Sequence, residues 1–439
     1  MSKKYVVTSA QYGADANKAF LKSLETYCHE NSVDELIVLP MQGKYKDETN
    51  LDDLVEHYHV LMSEYKLNDN IEIQNYDIRP QQIDPITGLA RIAQVDKSTI
   101  FPSPKQRLKC IPNSNYKLPK VLMTTGAITI PHYKNNRVGK IAKHDHKYGA
   151  IIVETLPKDK YHFRQIDATC DGVFADLGVM YNGKKIYKTR PEALVLGDWH
   201  TGDTDPKAKV ASLDMIVRYK PKNIILHDFF NGHSINYHNI DNKVERAYEY
   251  GRGRLSLENE LMLVSQELQE FVNLAPYDSK IIIVKSNHDE FLDKYLQMGM
   301  FINDPQNAKL GAKLFAKTVD GKDPLKAGIA RHMRIPKNVI FLKRDEDYKI
   351  RGWQLGSHGD LGANGGRGSI GSKEYAYGKS ITGHEHVPQI LRNTYVVGTN
   401  SKLQLRYNRG LSAWMHTNAL LYENGKVQLV NIINGDYRN

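Results

Sequence analysis

Hydrophobic positions follow two different periods along the first 185 residues, and these periods predict alternating strands and helices. Apolar spacings of three and four residues predict amphipathic helices over residues 17–29 and 53–65. Short apolar runs predict strands at residues 5–8, 35–40, 71–73, 121–126 and 150–153. The strand–helix–strand order favours a parallel α/β layer. We therefore predict a separate α/β domain over residues 1–185, whose role stays open between substrate binding and oligomerisation.

Longer apolar runs appear from residue 186 onward, and they are typical of strands that are buried on both faces. Helical spacing follows or separates these runs at residues 208–218, 255–272 and 305–334. The buried strands are predicted at residues 193–196, 223–226 and 280–285, followed by a strand pair at 339–342 and 348–350. Antiparallel strands are predicted at the end of the chain, around a turn at residues 423–425. Residues 186–439 thus form a second predicted domain of the α/β class.

The composition adds limits to this picture. The chain of 439 residues is long enough for two domains, and it contains no apolar run that approaches the ~20 residues of a membrane helix. The amino-terminal residues lack the apolar core of a signal peptide, so a soluble, cytoplasmic protein is expected. The three cysteines are widely spaced, which predicts neither a disulfide framework nor a thiolate zinc site.

The chain is basic, with 60 Lys and Arg against 50 Asp and Glu, which gives a net charge of +10. Such an excess favours a polyanionic partner, and nucleic acid is the first candidate. The alternative is that this excess of positive charge serves only solubility.

Polar side chains follow five predicted strands in turns of similar composition. Three of these strands are at residues 193–196, 223–226 and 280–285, and two further short strands are predicted at 353–355 and 380–382. These turns lie at residues 197–200, 227–231, 286–289, 357–360 and 383–386. Carboxylate, amide and imidazole groups together are the donors that hold a pair of divalent cations, and strand ends position such groups well. Asp228 is the natural bridge between two ions. The full predicted ligand set is Asp198, His200, Asp228, Asn287, His358, His384 and His386.

The order of these turns resembles the calcineurin-like metallophosphoesterase superfamily, over about residues 190–435. The matching pattern is Asp-x-His, Asp, Asn-His-Asp, His and Gly-His-x-His. The resemblance implies a β-sandwich flanked by helices and two divalent ions. One ion would be held by Asp198, His200, Asp228 and His386, and the other by Asp228, Asn287, His358 and His384. Manganese is expected, with iron, zinc and cobalt open.

The resemblance also implies that His288 is the catalytic histidine, which protonates the leaving oxygen of a phosphate ester or stabilises the transition state. Asp289 is assigned either to orienting His288 or to capping the following helix. The chain departs from the family pattern at His227 and Ser286, which stand where glycine is usual. His227 either packs or reaches the substrate, and Asn231 of the same turn is a predicted substrate contact.

The glycine-rich segment over residues 359–373 is the predicted contact with substrate outside the metal turns. Its backbone N–H groups, Arg367 and Lys373 could follow a phosphodiester backbone, although a flexible loop without contacts is the alternative. Lys402, Arg406 and Arg409 extend a basic rim. These features predict a deoxyribonuclease, similar to SbcD-type DNA exonucleases and to phage-encoded relatives, which would act in the host cytoplasm if the chain is viral.

Two other functions stay open at this point. A small-molecule phosphatase or cyclic-nucleotide phosphodiesterase would need a closed pocket instead of an open basic groove. A non-catalytic, metal-bound interaction module would be expected to lack a ligand, whereas the predicted set is complete. No heptad pattern occurs, so a coiled-coil partner would have to be a separate chain, and a homo-oligomer also remains open.

Overall fold

A computed structural model describes residues 2–93, 96–114, 120–237, 242–344, 346–405 and 408–438. The three cysteines are free thiols. Within the described residues, no helix has both the length and the apolar character that crossing a membrane requires.

The first part of the chain is dominated by strands. The strands are β1 (Lys3–Gln11), β2 (Glu35–Met41), β3 (His59–Val60), β4 (Tyr65–Asn68), β5 (Ile71–Ile73), β6 (Ser98–Phe101), β7 (Arg107–Ile111), β8 (Lys120–Thr124), β9 (Tyr148–Leu156), β10 (Lys160–Ala168), β11 (Phe174–Asp176), β12 (Val179–Asn182) and β13 (Lys185–Lys188). The helices are α1 (Lys18–Glu30), α2 (Asp53–Glu56) and α3 (Arg137–Asp145).

The second part alternates strands with longer helices. Its strands are β14 (Ala193–Val195), β15 (Asn223–Leu226), β16 (Lys280–Ile283), β17 (Val339–Phe341), β18 (Lys349–Ile350), β19 (Trp353–Gln354), β20 (Ser380–Thr382), β21 (Gln389–Leu391), β22 (Thr394–Val396), β23 (Thr417–Leu421) and β24 (Val427–Asn431). Its helices are α4 (Pro206–Tyr219), α5 (Lys243–Gly251), α6 (Leu257–Leu274), α7 (Glu290–Gln297), α8 (Ala308–Val319), α9 (Pro324–Ile329) and α10 (Ile370–Tyr377).

A six-stranded sheet in the order β17-β16-β15-β14-β23-β24 forms the centre of this second part. Strands β14 to β17 run parallel, and β23 and β24 are antiparallel to their neighbours. Along β15, Ile224 and Leu226 pack against the helices, whereas Ile225 packs into the core shared with a second sheet. Burial on both faces explains why these strands are continuous apolar runs in the sequence.

The second sheet contains ten strands and faces the first one across this shared core. Its order is β18-β19-β20-β22-β21-β7-β8-β6-β5-β4, so it combines strands from both parts of the chain. The junction is the antiparallel pair of β7 and β21, in which Leu108 faces Ile390. Hydrogen bonding therefore continues across the boundary that was placed after residue 185, and that boundary remains a prediction.

The observed fold is mixed α/β, with several sheets and flanking helices, and this confirms the predicted fold class. A third sheet, β10-β9-β1-β2-β3, contains the parallel β1–β2 pair expected near the amino terminus. Helix starts follow local sequence rules. Asp205 caps α4 by accepting hydrogen bonds from two backbone N–H groups, and Ser256 caps α6 in the same way with one.

Two predicted elements are wrong. The helix expected over residues 53–65 ends after α2, because His59 and Val60 pair with β2 as strand β3. The expected strand pair at residues 339–350 is divided between sheets, since β17 pairs with β16 and β18 pairs with β19. In both places, hydrogen bonds to distant strands override the local pattern.

Candidate metal centre

The predicted metal turns lie at strand ends that meet at one edge of the sandwich. Asp198 follows β14, Asp228 follows β15 and Asn287 follows β16, and these three strands are parallel neighbours. His358 and His384 follow β19 and β20, which are parallel neighbours in the second sheet. The two sheets therefore supply side chains to the same place from opposite sides.

Backbone hydrogen bonds hold the turns against each other. The N–H groups of Trp199 and His200 donate to the carbonyls of His227 and Asp228, at 3.0 and 2.8 Å. The N–H group of Gly383 donates to the carbonyl of His358 at 2.9 Å. The side chains thus project from a connected backbone framework.

Strained backbone is concentrated at the same residues. His200, Asp228, His384 and His386 have φ values of 50°, 45°, 76° and 56°, in the left-handed region that such residues rarely adopt. Each such conformation costs about 1–3 kcal/mol and persists where the surroundings enforce it, often at functional sites. Gly383 permits the closest approach, because a Cβ atom there would lie 2.2 Å from Oδ1 of Asp198.

Four of the predicted ligands form one buried cluster. The ligand atoms of Asp198, His200, Asp228 and His386 lie within 4.8 Å of one another. The Nε2 atoms of His200 and His386 are 2.9 Å apart, and Nε2 of His386 is 3.2 Å from Oδ2 of Asp198. Imidazole nitrogens that face each other and a carboxylate this closely are favourable when a cation or a proton lies between them.

Two more predicted ligands adjoin this cluster through Asp228. Nε2 of His358 lies 3.4 Å from Oδ2 of Asp228, the same distance as Nε2 of His200 on the other side. The ring of His384 packs edge-on against His358, with centroids 5.3 Å apart. Asp228 therefore lies between two groups of imidazoles, as a bridging carboxylate would.

Unpaired buried acceptors test whether a cation fits here. Both carboxylate oxygens of Asp198, Oδ1 of Asp228 and Oδ1 of Asn287 are buried and accept no hydrogen bond from the described residues. Leaving such acceptors unsatisfied costs about 1–3 kcal/mol each, and more for charged groups. Divalent cations would satisfy them, and the mixture of oxygen and imidazole donors suits manganese, iron, zinc or cobalt.

The surroundings shift the pKa values of Asp198 and Asp228 in opposite directions. Burial, together with the neighbouring Asp228 carboxylate, raises the pKa of Asp198 to about 6. Burial acts in the same direction on Asp228, but His358, His288 and His200 outweigh it and hold the pKa of Asp228 well below its usual range. Asp228 is therefore the permanent negative charge of the site.

The histidines fall into two classes. Burial lowers the pKa of His200 and His386 to about 3 and that of His384 to about 4, which keeps these rings neutral and able to bind a cation. Burial also acts on His358, but the Asp228 carboxylate outweighs it and raises the pKa of His358 to about 9. His358 must therefore lose a proton before it can serve as a ligand.

His288 lies at the rim of the cluster. Its ring packs edge-on against His200, with centroids 4.6 Å apart, and its Nδ1–H group donates to the backbone carbonyl of Asn231 at 2.9 Å. This bond fixes the ring and leaves Nε2 for another partner. The predicted catalytic histidine is thus adjacent to the candidate ligands.

Asn231, a predicted substrate contact, is 5% exposed and lines a cleft beside His288. Its amide oxygen accepts a hydrogen bond from Nδ1 of His200 at 3.4 Å, and its amide nitrogen donates to Oδ2 of Asp203 at 3.0 Å. Asn231 therefore positions two histidines, His200 through its side chain and His288 through its carbonyl. Asp203, which the sequence analysis missed, is itself held by Arg254 at 3.0 Å and by His233.

Asp289 was predicted to orient His288 or to cap α7, and the structure gives it neither contact. Its carboxylate is buried and accepts hydrogen bonds from the backbone of Phe230 at 3.2 Å and from the backbone and hydroxyl of Ser286 at 3.0 Å. Its side chain makes no capping bond to α7. Asp289 thus joins two of the metal turns, and its catalytic role stays a prediction.

The remaining predicted substrate contacts differ in their exposure to solvent. His227 is fully buried, with Nδ1 3.4 Å from Nδ1 of His358, so it packs beneath the cluster. Lys373 is only 2% exposed on α10, whereas Arg367 is exposed. Of the two basic side chains predicted to contact a polymer in the glycine-rich segment, only Arg367 therefore lies at the surface. Arg406, named as part of a basic rim, lies outside the described residues.

Trp414 is a second neighbour of the cluster that sequence reasoning missed. Its ring packs edge-on against His386, with centroids 4.1 Å apart. Neither Trp414 nor Asp203 belongs to a strand-end turn with a recognisable pattern. Their contacts arise from loops that fold back over the site, and no local signal marks them.

Together, the fold and the site define a mixed α/β protein with a buried Asp–His cluster that can hold divalent cations, an arrangement that fits a metal-dependent hydrolase. No protein-family model matches the chain. The chain is similar to Protein A1 of Escherichia phage T5, with 28% identity over 466 aligned residues that cover 99% of this chain and 83% of that protein. Among solved structures, Vps29 of Chaetomium thermophilum covers 38% of this chain and 88% of its own, with 8% identity and a TM-score of 0.25 that supports no argument about the fold.

Proposed function

We propose that this protein is a metal-dependent phosphodiesterase that hydrolyses DNA, of the calcineurin-like metallophosphoesterase kind. The observation that carries the proposal is the buried cluster of Asp198, His200, Asp228 and His386, whose ligand atoms lie within 4.8 Å of one another. Both carboxylate oxygens of Asp198 and Oδ1 of Asp228 accept no hydrogen bond from the described residues, which supports a site for cations.

Two cations are proposed, with Asp228 shared between them. The second would be held by Asn287, His358 and His384, which follow β16, β19 and β20. When bound, divalent cations supply charge for the phosphoryl oxygens and activate water for attack on phosphorus. The chain's own contribution is to hold seven donors on a connected and strained backbone.

His288 is proposed to give a proton to the departing oxygen of the ester. Its Nδ1–H group is engaged by the Asn231 carbonyl at 2.9 Å, so Nε2 is the atom that faces the reacting group. The ring is held in place before substrate binds, which is what efficient general acid catalysis requires. Two neutral rings, His200 and His386, lie beside it and do not compete for that proton at neutral pH.

DNA is proposed as the substrate because of the basic character of the chain. A net charge of +10 attracts a phosphate backbone, whereas an acidic metal site alone would favour a less basic protein. An exposed Arg367 in the glycine-rich segment beside His358 adds local charge. A nuclease is therefore favoured over an enzyme for small phosphate esters.

The test is a pair of assays with Mn²⁺, one on plasmid DNA and one on bis-p-nitrophenyl phosphate, each repeated with a chelator. Cleavage of both substrates that stops with chelator and with Asp228→Asn is expected. Asp320→Asn is the matched control, because Asp320 is exposed at the end of α8. Cleavage of the dye ester without loss of DNA would favour a small-molecule phosphoesterase. A folded, metal-loaded protein that cleaves neither would refute the proposal and favour a non-catalytic module.

A further inference from the structure

A large cleft opens beside the metal centre on the side of His288. Its volume is about 630 Å³, which is within the usual range for ligand sites. One wall is formed by α5 and the residues after it, and another by residues near Lys402 and Arg409. His288 lies where the cleft meets the metal centre. The cleft is therefore continuous with the place where chemistry is proposed.

Five Lys and Arg side chains line this cleft, against the three carboxylates of Asp203, Glu245 and Glu249. Arg246 and Arg252 project from the α5 wall, and Lys402 and Arg409 from the other wall. Among the described residues, no carboxylate forms a salt bridge with any of these four cations. The fifth cation of the lining, Arg254, is already neutralised because it contacts Asp203 at 3.0 Å and Glu249 at 3.2 Å.

An aromatic platform lies within the same lining. The guanidinium carbon of Arg252 lies 5.1 Å from the centroid of the Tyr248 ring, and its Nη1 donates to the Tyr248 hydroxyl at 2.5 Å. Tyr248 is 41% exposed, so part of its surface faces solvent. Aromatic rings and guanidinium groups beside a basic groove are the features that single-stranded nucleic acid binds through stacking and backbone charge.

The position of the cleft relative to His288 determines which part of a substrate enters it. The ring of His288 lies between His200, 4.6 Å away, and the cleft that it lines. If His288 protonates the departing oxygen, the group that departs must extend past His288 and away from the metal ligands. The cleft is the space on that side.

We propose that this basic cleft binds the part of a DNA strand that departs with the leaving oxygen, through the phosphates of that part. The inference rests on the proposed function and adds a substrate path and a direction to it. It adds to the contact expected along the glycine-rich segment, where Lys373 is buried and Arg367 is exposed. A strand there would meet one cation, whereas the cleft offers four.

The test compares two double variants of equal charge. Lys402→Ala with Arg409→Ala removes two exposed cations from the cleft. Lys280→Ala with Lys337→Ala is the control, because these exposed residues lie at the amino ends of the parallel strands β16 and β17, at the edge opposite the metal turns. Arg246→Ala and its charge-preserving partner Arg246→Lys test the other wall.

Three substrates separate the outcomes: a single-stranded oligothymidylate, an oligothymidylate whose terminal phosphate carries p-nitrophenol as the leaving group, and bis-p-nitrophenyl phosphate. For the cleft variant, kcat/KM on the first substrate relative to the third should fall by about 3- to 30-fold, mainly through KM. The salt dependence of binding should weaken by about 1.4 in logarithmic slope. The second substrate, with no nucleotide on its leaving side, should show no such selective loss.

Four results decide the matter. A selective loss in the cleft variant and in Arg246→Ala, absent from the control and from Arg246→Lys, supports the cleft. Equal loss in the cleft and control variants overturns it while leaving the nuclease proposal intact. A selective loss on the second substrate overturns the assigned direction, since that strand lies on the other side of the scissile bond. A wild-type protein that is inert on all three substrates overturns both proposals.

Discussion

Binding of a divalent cation to the metal-free protein at pH 7.5 should release about one proton, and His358 should be its source. Burial disfavours the charged ring, but the Asp228 carboxylate 3.4 Å away outweighs burial and raises the pKa of His358 to about 9. At pH 7.5 the ring is therefore protonated. Because a histidine ligand must be neutral, the cation has to displace that proton.

The size of this effect follows from the difference between pH 7.5 and a pKa of about 9. That difference of about 1.5 corresponds to about 2 kcal/mol, or about a 30-fold reduction in apparent metal affinity. The affinity should rise about tenfold per pH unit between roughly pH 7 and pH 9 and then level off. Below pH 6 the fall should steepen, because Asp198, with a pKa of about 6, also takes up a proton.

The assay is calorimetric titration of metal-free protein with Mn²⁺ at pH 7.5, in buffers whose ionisation enthalpies differ. The dependence of the observed heat on the buffer counts the protons released. His358→Gln should bind more weakly and release no proton, whereas His29→Gln, which changes an exposed histidine on α1, should match the wild type. A wild-type protein that releases no proton, or a His358→Gln variant that still releases one, would refute this reasoning.

The remaining predictions concern single residues near the site. His288→Ala should retain bound metal, measured by elemental analysis, and lower kcat on bis-p-nitrophenyl phosphate by about 10²–10⁴-fold, so loss of metal instead would make His288 a ligand. Asn231→Ala should weaken metal binding by about 10–100-fold through loss of its bond to His200, and unchanged affinity would remove Asn231 from that role. Arg367→Ala should weaken DNA binding more than turnover of the small diester, because Arg367 is exposed, and equal effects on both would contradict a contact with the polymer. Lys373→Met should change DNA cleavage and small-diester turnover in parallel and leave the melting temperature unchanged or higher. The reason is that this ammonium is buried and its nitrogen has no hydrogen-bond partner among the described residues. A loss confined to DNA cleavage would place Lys373 on the substrate path.

Several elements near the site are visible in the sequence because their signal is local. Strand β15 covers the same residues as its predicted run, 223–226, and α6 differs from its predicted range by two residues at each end. Strand β15 is strongly apolar and lies within the central sheet, and α6 is long and packs against that sheet. The prediction fails where the apolar spacing is ambiguous, as at β3, whose two residues gain their structure from pairing with β2.

The candidate ligands are also visible in the sequence, since parallel strands bring their carboxyl ends to the same edge. Their supporting residues are not. Asp289 and Asn231 stand in the same turns as predicted ligands, yet one joins two loops and the other orients imidazoles. Adjacency in the chain indicates which residues are near the site, but it does not indicate which way each side chain points.

The sequence by itself determined the α/β class, the buried strands and the set of Asp, His and Asn side chains that follow them, because apolar period and strand-end position are properties of short segments. Only the tertiary structure decided the pairing of β7 with β21, the burial of Lys373 and the cleft beside His288. These features depend on contacts between segments far apart in the chain. The free energy of such contacts comes from burial and hydrogen bonds that exist only when both partners are in place.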